Sequence, residues 1–322
     1  MVECASLPSL DVPLSRLGFG AEPLGGTDWG HVDESTAIAA VGHALDLGIN
    51  FFDTADVYGL GRSERLLSQA LGSRRHDVVI ATKFGVNWTA DAGGRRAKTF
   101  LDSSPKHVFE AVDASLRRLR IDSIPLYFVH WPDPGTPIAE TLDALTRCRE
   151  QGKIKAVGLS NFSLGQFREA TQYMKIDAVQ APYNLVDRHI ETEFLACCRE
   201  LHICVITYGS LAQGLLTGKY SAPVEFEPND RRHRLTHFQS ENLQKNLKIV
   251  ERLKRISTQY GKTPAQIAIR WVLDNSKVDI ALTGVKSPSQ IEHNFGALGW
   301  QLTPSDYRQL SMESDKLQRG LT

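Results

Sequence analysis

Short apolar segments of strand character alternate with helical patterns along almost the whole chain, and no proline- or serine-rich linker interrupts them. This alternation most constrains the fold, because it indicates one domain, residues 1–322, built from βα units. About eight parallel strands close a barrel, so the pattern predicts an α/β protein with the (β/α)8, or TIM-barrel, fold. The predicted strands are 16–20, 50–54, 78–83, 124–131, 156–161, 178–184, 204–210 and 279–285.

The predicted helices have recognisable starts and ends. Four hydroxyl residues each precede a proline, which suits an N-cap followed by the first helical position: Ser104-Pro105, Thr136-Pro137, Thr263-Pro264 and Ser287-Pro288. Glycines at 48, 72 and 152 stand where helices should end. In residues 36–47 the apolar positions Ile38, Val41, Ala44 and Leu45 have helical spacing, so one face should pack on the sheet.

Composition excludes several classes of function. Lys plus Arg and Asp plus Glu number 37 each, so the formal charge is zero and we expect no nucleic-acid partner. The five cysteines form no C-x-x-C pair, and the histidines lack the spacing of a metal site, so we predict free thiols and no metal. With neither a signal peptide nor a membrane-spanning stretch in the sequence, we expect a cytoplasmic protein without a membrane partner.

Polar residues follow three of the predicted strands. Asp53 and then Tyr58 come after the second strand, Lys83 ends the third, and His130 closes the fourth. The carboxyl ends of barrel strands meet at one mouth, so an acid, a phenol, an ammonium and an imidazole should converge there. An ammonium near a phenol is expected to lower the phenol pKa from about 10. The set suits proton transfer at an oxygen bonded to carbon.

These residues lie in segments that resemble the aldo-keto reductase superfamily: GINFFDTADVY from Gly48, the ATK ending at Lys83, VHW around His130 and GLSNF around Asn161. The resemblance covers about residues 17–310. It implies an oxidoreductase that interconverts a carbonyl and an alcohol. It also implies catalytic roles for Tyr58 as general acid or base, Lys83 and Asp53 as its support, and His130 as a donor to the carbonyl.

No G-x-G-x-x-G fingerprint is present, which disfavours a doubly wound dinucleotide domain. The resemblance implies a nicotinamide cofactor bound across the barrel mouth. Ser160, Asn161 and Gln180 would hold the carboxamide and Tyr208 would stack on the ring, although Gln180 also suits a satisfied polar residue inside a barrel. The remaining implied cofactor-binding residues are Gly209, Ser210, Leu211, Gln213, Gly284, Lys286, Gln290 and Asn294.

The cofactor implied is NADP(H), with NAD(H) also possible. Lys286 and Ser287 stand where the ribose 2′-substituent would lie, next to a helix start that suits an anion. Many members of the superfamily have arginine at Lys286 and an acid at His293. A lysine is a point charge without the planar fork of arginine, which makes its contact with a phosphate less specific.

Trp29, Trp88 and Trp131, together with Tyr58 and Phe84, are candidates for an aromatic wall around a small-molecule carbonyl or alcohol. Two long segments, 84–104 and 220–240, are expected to lie over the mouth as a substrate loop and a cofactor lid, or else to be solvated surface loops. Basic residues of the first, Arg95, Arg96 and Lys98, could meet an anionic group. The substrate and the oligomeric state stay open, as does a regulatory subunit that binds nucleotide with little turnover.

Overall fold

The computed structural model describes residues 2–26, 28–30, 32–89, 97–227 and 230–318. Eight parallel strands form a closed barrel in the order β3, β4, β5, β8, β9, β10, β11, β12 and back to β3. This confirms the predicted (β/α)8 barrel. The strands are β1 (Cys4–Ala5), β2 (Leu14–Ser15), β3 (Leu17–Gly20), β4 (Phe51–Asp53), β5 (Val79–Phe84), β6 (Val86–Trp88), β7 (Thr99–Leu101), β8 (Ile124–Val129), β9 (Ile154–Ser160), β10 (Ala178–Pro182), β11 (Cys204–Tyr208) and β12 (Ile280–Gly284).

Helices surround the barrel and connect its strands. The α-helices are α1 (Glu34–Asp46), α2 (Arg62–Leu71), α3 (Pro105–Leu119), α4 (Ile138–Glu150), α5 (Leu164–Ala170), α6 (Phe194–Glu200), α7 (Ser240–Tyr260), α8 (Pro264–Asp274), α9 (Pro288–Phe295) and α10 (Pro304–Gln318). Short 3-10 helices occur at Glu22–Gly25, Gly72–His76, Ala212–Thr217, Arg231–Arg234 and Thr236–Phe238. No helix in the described ranges is both long and apolar enough to cross a membrane.

Three of the four predicted helix starts are confirmed. Ser104, Thr263 and Ser287 are N-caps whose side chains accept a hydrogen bond from a backbone N–H three residues later, and each precedes a proline. The prediction at Thr136 was wrong, because α4 begins one residue later with Pro137 at its N-cap. The Thr136 hydroxyl instead donates a hydrogen bond to the Asp133 carboxylate at 2.8 Å and does not cap the helix.

Two apolar layers hold the barrel. The inner layer fills the barrel itself, where Phe51 and Phe128 pack with Leu7 and Leu14 from the N-terminal segment. A Cβ at Gly158 would lie 2.2 Å from the Phe128 ring, so this strand position has room only for glycine. The outer layer lies between strands and helices, and along α1 it buries Val41, Ala44 and Leu45 as the spacing predicts.

The two long segments have local structure of their own. Within 84–104, β6 and β7 form an antiparallel hairpin with Val86 opposite Leu101, which suits their apolar and aromatic residues. Arg95 and Arg96 lie outside the described residues, and Lys98 is exposed. Within 220–240, two 3-10 helices follow an antiparallel bridge between Asp230 and Trp29.

Candidate functional site

The four polar residues of the sequence patterns meet at the carboxyl end of the barrel. Asp53 is the last residue of β4 and Lys83 lies near the end of β5. His130 follows β8 directly, and its backbone N–H donates to the Phe84 carbonyl at 2.8 Å. Tyr58 stands on the turn before α2, four residues before the helix begins. Asp53 and Lys83 therefore lie at strand ends, and Tyr58 and His130 lie in the connecting turns, so all four are at the carboxyl end of the barrel.

A buried network holds the Lys83 ammonium. Its Nζ donates to Asp53 Oδ2 at 2.6 Å and to the Thr54 carbonyl at 2.8 Å. The other carboxylate oxygen of Asp53, Oδ1, accepts from Gln180 Nε2 at 2.7 Å. Lys83 is fully buried, so its charge depends on this pairing. The network commits the Gln180 amide nitrogen to Asp53 and leaves the amide oxygen as the group that could accept from a ligand.

Tyr58 lies between Lys83 and His130. The ammonium of Lys83 is 5.2 Å from the centroid of the Tyr58 ring, and the imidazole of His130 meets that ring edge-on at 5.8 Å. We expected Lys83 to lower the pKa of Tyr58. Instead, burial raises the pKa of Tyr58 well above its usual range, and the carboxylates of Glu22 and Asp53 raise it further. Burial, which disfavours the charged phenolate, is the main reason that the pKa is raised and not lowered, and the Lys83 ammonium is hydrogen-bonded to Asp53 and Thr54.

His130 is held as a neutral imidazole. Burial lowers its pKa well below the ordinary value of 6.5, and the positive charge of Lys83 lowers it further. Its backbone carbonyl accepts from Asn161 Nδ2 at 2.9 Å, which connects β8 to the turn after β9. Its Nδ1 atom is buried without a hydrogen-bond partner in the described part of the chain. A buried polar atom of this kind is costly unless a ligand or water satisfies it.

An open cavity of about 1350 Å³ runs from these residues across the mouth. Asp53, Tyr58 and His130 line it, whereas Lys83 lies behind them. All twelve residues that the resemblance implies for the cofactor also line it: Ser160, Asn161, Gln180, Tyr208, Gly209, Ser210, Leu211, Gln213, Gly284, Lys286, Gln290 and Asn294.

The residues near the middle of the cavity are oriented by one another. Tyr208 donates from its hydroxyl to Asn161 Oδ1 at 2.7 Å, and Asn161 Nδ2 donates to Ser160 Oγ at 3.1 Å. Asn161 has a positive φ of 65°, which turns the chain sharply after β9. The hydroxyl of Ser210 donates to the Leu282 carbonyl at 3.0 Å, which fixes the turn after β11. These contacts leave the Tyr208 ring as a flat apolar wall.

The far end of the cavity fits a nucleotide. A Cβ at Gly284 would meet only Pro23, at an ordinary 3.7 Å, so protein packing does not require glycine and the space is left to the cavity. Gln290 accepts from the Lys286 backbone N–H at 2.8 Å. The Lys286 ammonium donates to the Trp29 carbonyl, and burial lowers the pKa of Lys286, as do the charges of Arg232 and Lys219. This end therefore carries several cations.

The proposed aromatic wall forms only in part. Trp29 and Trp131 line the cavity, and Trp131 is 44% exposed, so its ring is accessible. Trp88, which is paired with Thr99 in the hairpin, does not line the cavity that the described residues bound. Phe84 is fully buried and stacks on Tyr127 with ring centroids 5.0 Å apart. The hairpin contributes Val86 and Thr99 to the cavity instead.

Sequence reasoning missed two charged residues of the mouth, Glu22 and Arg231. They form an ion pair of 2.5 Å between Glu22 Oε1 and Arg231 Nη1, although 209 positions separate them. Neither residue stands in one of the sequence motifs described above. The one available signal was the position of Glu22 two residues after the end of a strand, where barrel enzymes place functional side chains. No group of three or more His, Cys, Asp or Glu residues in the described ranges could hold a metal ion.

Comparison with known proteins agrees with this geometry. A family model described as "Aldo/keto reductase family" matches residues 16–312. "Aldo-keto reductase YhdN" of Bacillus subtilis (strain 168) is 37% identical over 96% of this chain and 93% of its own length. "NADH-specific methylglyoxal reductase" of Escherichia coli (strain K12) is 36% identical over 97% of this chain and 98% of its own.

A solved structure is similar as well. The glycerol dehydrogenase AKR11B4 from Gluconobacter oxydans superposes with a TM-score of 0.89 at 36% identity, covering 96% of this chain and 94% of that one. The similarity covers nearly the whole of both chains and therefore the barrel fold.

Proposed function

Because the chain belongs to the aldo/keto reductase family, a family of oxidoreductases, we propose that it reduces a small aldehyde, ketone or sugar-like carbonyl to its alcohol with NADP(H). Tyr58 acts as general acid in this direction and as general base in the reverse. The observation that carries the proposal is the buried chain of contacts from Gln180 through Asp53 to Lys83, beside Tyr58 and at the edge of a cavity of about 1350 Å³.

The proton chemistry follows from this arrangement. The bound nicotinamide cofactor supplies the hydride that reduces the carbonyl carbon. Tyr58 carries its proton at neutral pH and can donate it to the carbonyl oxygen, but its raised pKa makes it a weak acid that needs stabilisation of the developing phenolate. The Lys83 ammonium, 5.2 Å from the ring centroid, stabilises the negative charge that the phenol acquires as it donates. Asp53 holds the ammonium in place.

His130 assists without taking part in proton transfer. As a neutral imidazole it carries one ring N–H, which can donate a hydrogen bond to the carbonyl oxygen. A charged imidazolium would repel the buried Lys83 ammonium, because it would place a second positive charge beside it. Because the pKa of His130 is lowered, this repulsion is avoided. The neutral imidazole of His130 polarises the carbonyl, and the neutral phenol of Tyr58 donates the proton.

The cofactor would be held by the residues that line the cavity. Ser160, Asn161 and the amide oxygen of Gln180 suit the carboxamide, and the Tyr208 ring suits the face of the nicotinamide. The turn Gly209 to Gln213 suits the pyrophosphate. Gly284, Lys286, Gln290 and Asn294 suit the adenosine end. The segments 84–104 and 220–240 complete the mouth on either side in this proposal.

We expect NADPH to bind more tightly than NADH. The 2′-phosphate of NADPH adds negative charge, and Lys286 shares its surroundings with the cations Arg232 and Lys219. The relative in Escherichia coli is named for NADH specificity, so the choice of cofactor depends on local residues and not on the fold. Lys286 is therefore the residue to change.

A nucleotide titration followed through protein fluorescence tests the proposal. Lys286→Ala should weaken NADPH binding by about tenfold to a hundredfold, as expected for a lost hydrogen bond to a charged group, and should change NADH binding little. Lys286→Arg is the control, since it keeps the charge. An equal loss for both nucleotides would show that Lys286 only supports the Trp29 backbone, to which it donates.

Turnover is measured on the same complexes by following NADPH absorbance with a panel of aldehydes and keto sugars. Loss of absorbance with one class of compound supports the reductase. Tight nucleotide binding without turnover of any carbonyl would favour a regulatory subunit instead.

A further inference from the structure

The ion pair between Glu22 and Arg231 connects two sides of the mouth. Glu22 opens the 3-10 helix after β3, and Arg231 opens the 3-10 helix 231–234 in the long segment after β11. Both side chains line the cavity and remain about one-third exposed, 32% and 33%, although they are paired. A surface ion pair of this kind adds little to stability. Its place in the cavity therefore points to a ligand.

Close backbone packing fixes the Glu22 helix against the turn that carries Tyr58. A Cβ at Gly25 would lie 2.8 Å from Gly59 N and 2.9 Å from Tyr58 C, and a Cβ at Gly59 would lie 2.2 Å from Gly25 O. Only two glycines allow this approach. The nearness of the Glu22 carboxylate also shows in its effect on Tyr58, whose pKa it raises after the larger effect of burial.

Arg231 is fixed just as firmly. Its backbone N–H donates to the Asp28 carbonyl at 2.9 Å, and its guanidinium lies 5.2 Å from the centroid of the Trp29 ring. Trp29 in turn bridges to Asp230, so backbone pairing joins the two segments. The indole Nε1 of Trp29 is buried beside the Glu22 carboxylate and stabilises its charged form, without a hydrogen bond of ordinary geometry among the described residues. The indole therefore holds the Glu22 carboxylate from a second side.

Hydrogen-bonding capacity remains in both members of the ion pair. Within the described ranges the guanidinium of Arg231 makes one side-chain hydrogen bond, through Nη1, to Glu22 Oε1. The remaining lone pairs of the Glu22 carboxylate can accept, and the other N–H groups of Arg231 can donate. A hydroxyl group is both donor and acceptor, so it can satisfy both kinds of atom. A carboxylate could use only the donors and would face the like charge of Glu22.

We propose that Glu22, Arg231 and Trp29 form a subsite for a neutral hydroxyl group close to the reacting carbonyl, so that hydroxy-aldehydes and hydroxy-ketones are the preferred substrates and 2-oxo acids are disfavoured. This proposal rests on the proposed function of the same cavity. The preference comes from the site's own polar atoms, which stay unpaired when the substrate lacks a hydroxyl.

The test compares three probes of similar size with the full chain and NADPH: glyceraldehyde, propanal and glyoxylate. The wild-type kcat/KM for glyceraldehyde should exceed that for propanal at least about tenfold, since a hydrogen bond to a charged group contributes at least that much. In Glu22→Gln this ratio should fall several-fold, and glyoxylate should gain relative to propanal because the like charge is gone. All three probes use Tyr58, so the ratios are independent of any change in its pKa.

Glu34→Gln is the matched control, because the Glu34 carboxylate also pairs with an arginine, Arg62 at 2.6 Å, but is half-exposed and does not line the cavity. Its ratios should equal those of the wild type. Arg231→Gln provides a second variant, and it should lower the ratio of glyceraldehyde to propanal as well.

Two results would overturn the subsite. One is a wild type that turns over propanal as well as glyceraldehyde, and the other is a set of variants in which all three probes change by the same factor. The latter would mean that the pair only braces the mouth. If NADPH binds but no probe is reduced, the proposed function itself fails, and the subsite with it.

Discussion

Both ends of the barrel contain buried ion pairs, but the mouth also holds buried titratable groups that are neutral, whereas the floor is built around paired charges. There, Arg270 is fully buried and lies 2.8 Å from Glu3 and 2.9 Å from Asp274. Arg16 lies 3.5 Å from Glu3 and donates to three backbone carbonyls, one of them that of Asp279 at 3.1 Å. The network connects the N-terminal segment to the residues just before β3 and β12 and to the end of α8.

The mouth is arranged differently. Its innermost charge pair, Lys83 and Asp53, is buried beside two neutral titratable groups. Tyr58 has a raised pKa and His130 a lowered pKa, so each is uncharged although each is able to ionise. The comparison teaches that the floor neutralises charge for stability, whereas the mouth holds groups that await a ligand.

The largest effect should come from Tyr58→Phe, which tests the mouth. Loss of the general acid should lower kcat by about 10²–10⁴-fold, while the affinity for NADPH and the free energy of unfolding stay nearly unchanged. Single-turnover kinetics with saturating NADPH measure the chemical step. A loss of nucleotide affinity equal to the loss of rate would mean that Tyr58 holds the cofactor and is not the acid.

Tyr127→Phe is the control for removing a tyrosine hydroxyl. The Tyr127 side chain is fully buried outside the mouth, and its hydroxyl has no hydrogen-bond partner in the described part of the chain. Its removal should leave kcat unchanged and should stabilise the protein slightly, because an unsatisfied polar group is lost from the interior.

The next largest effect should come from Arg270→Met, which tests the floor. Without this guanidinium, Glu3 and Asp274 lose their buried partner, and the free energy of unfolding should fall by about 3–5 kcal/mol. We expect kcat to stay within a factor of about two, because the distance to the mouth makes the sites independent. Urea unfolding and steady-state kinetics on one preparation measure both.

Arg74→Met is the control at the surface. Arg74 pairs with Asp46 at 3.1 Å, but the two side chains are 49% and 70% exposed. This substitution should change the free energy of unfolding by less than about 1 kcal/mol. If Arg270→Met cost no more than Arg74→Met, the floor would not be the stabilising end.

Much of the fold could be predicted because it depends on local patterns. Apolar runs mark the barrel strands. A serine or threonine followed by a proline, as at Ser104, Thr263 and Ser287, marks a helix start within one residue. Strand ends were less certain, since β8 ends at Val129 and not at residue 131. Propensity does not distinguish the last strand residues from the first turn residues.

The site was predictable only where a motif names the residue. The Glu22–Arg231 pair joins positions 209 apart, and no local pattern links them. The direction in which the pKa of Tyr58 moves also depends on three-dimensional facts. Those facts are its burial and the commitment of the Lys83 ammonium to Asp53 and Thr54.

The smallest effect should be that of pH on the reduction reaction. The pKa of Tyr58 is raised above 10 and that of His130 is lowered below 6.5, so neither group changes charge between these values. We expect kcat/KM for reduction to stay flat from about pH 6.5 to about 9. Oxidation of the alcohol needs the phenolate of Tyr58, so its rate should rise with pH across the same range.

The stability that Glu3 contributes at the floor should also stay constant over this pH range. The pKa of Glu3 is lowered because, against the opposing effect of burial, the Gly299 N–H and Arg270 stabilise its charged form. A lowered folded-state pKa contributes stability that is present above the unfolded value of 4.5 and is lost as the pH falls through the folded value. Burial raises the pKa of Asp274 and Asp279 instead, so it is the Glu3 contribution to the thermal midpoint that should fall on the acid side.

A limb of the reduction profile centred near pH 8 would break the comparison. It would mean that Tyr58 loses its proton there, and that Lys83 lowers the pKa of Tyr58 in the cofactor complex as its charge alone suggests. A flat profile in both the wild type and Lys83→Met, with kcat lowered in the variant, would instead support the comparison of mouth and floor. In that case Lys83 stabilises the charge that develops on the phenol during proton transfer without setting its resting pKa.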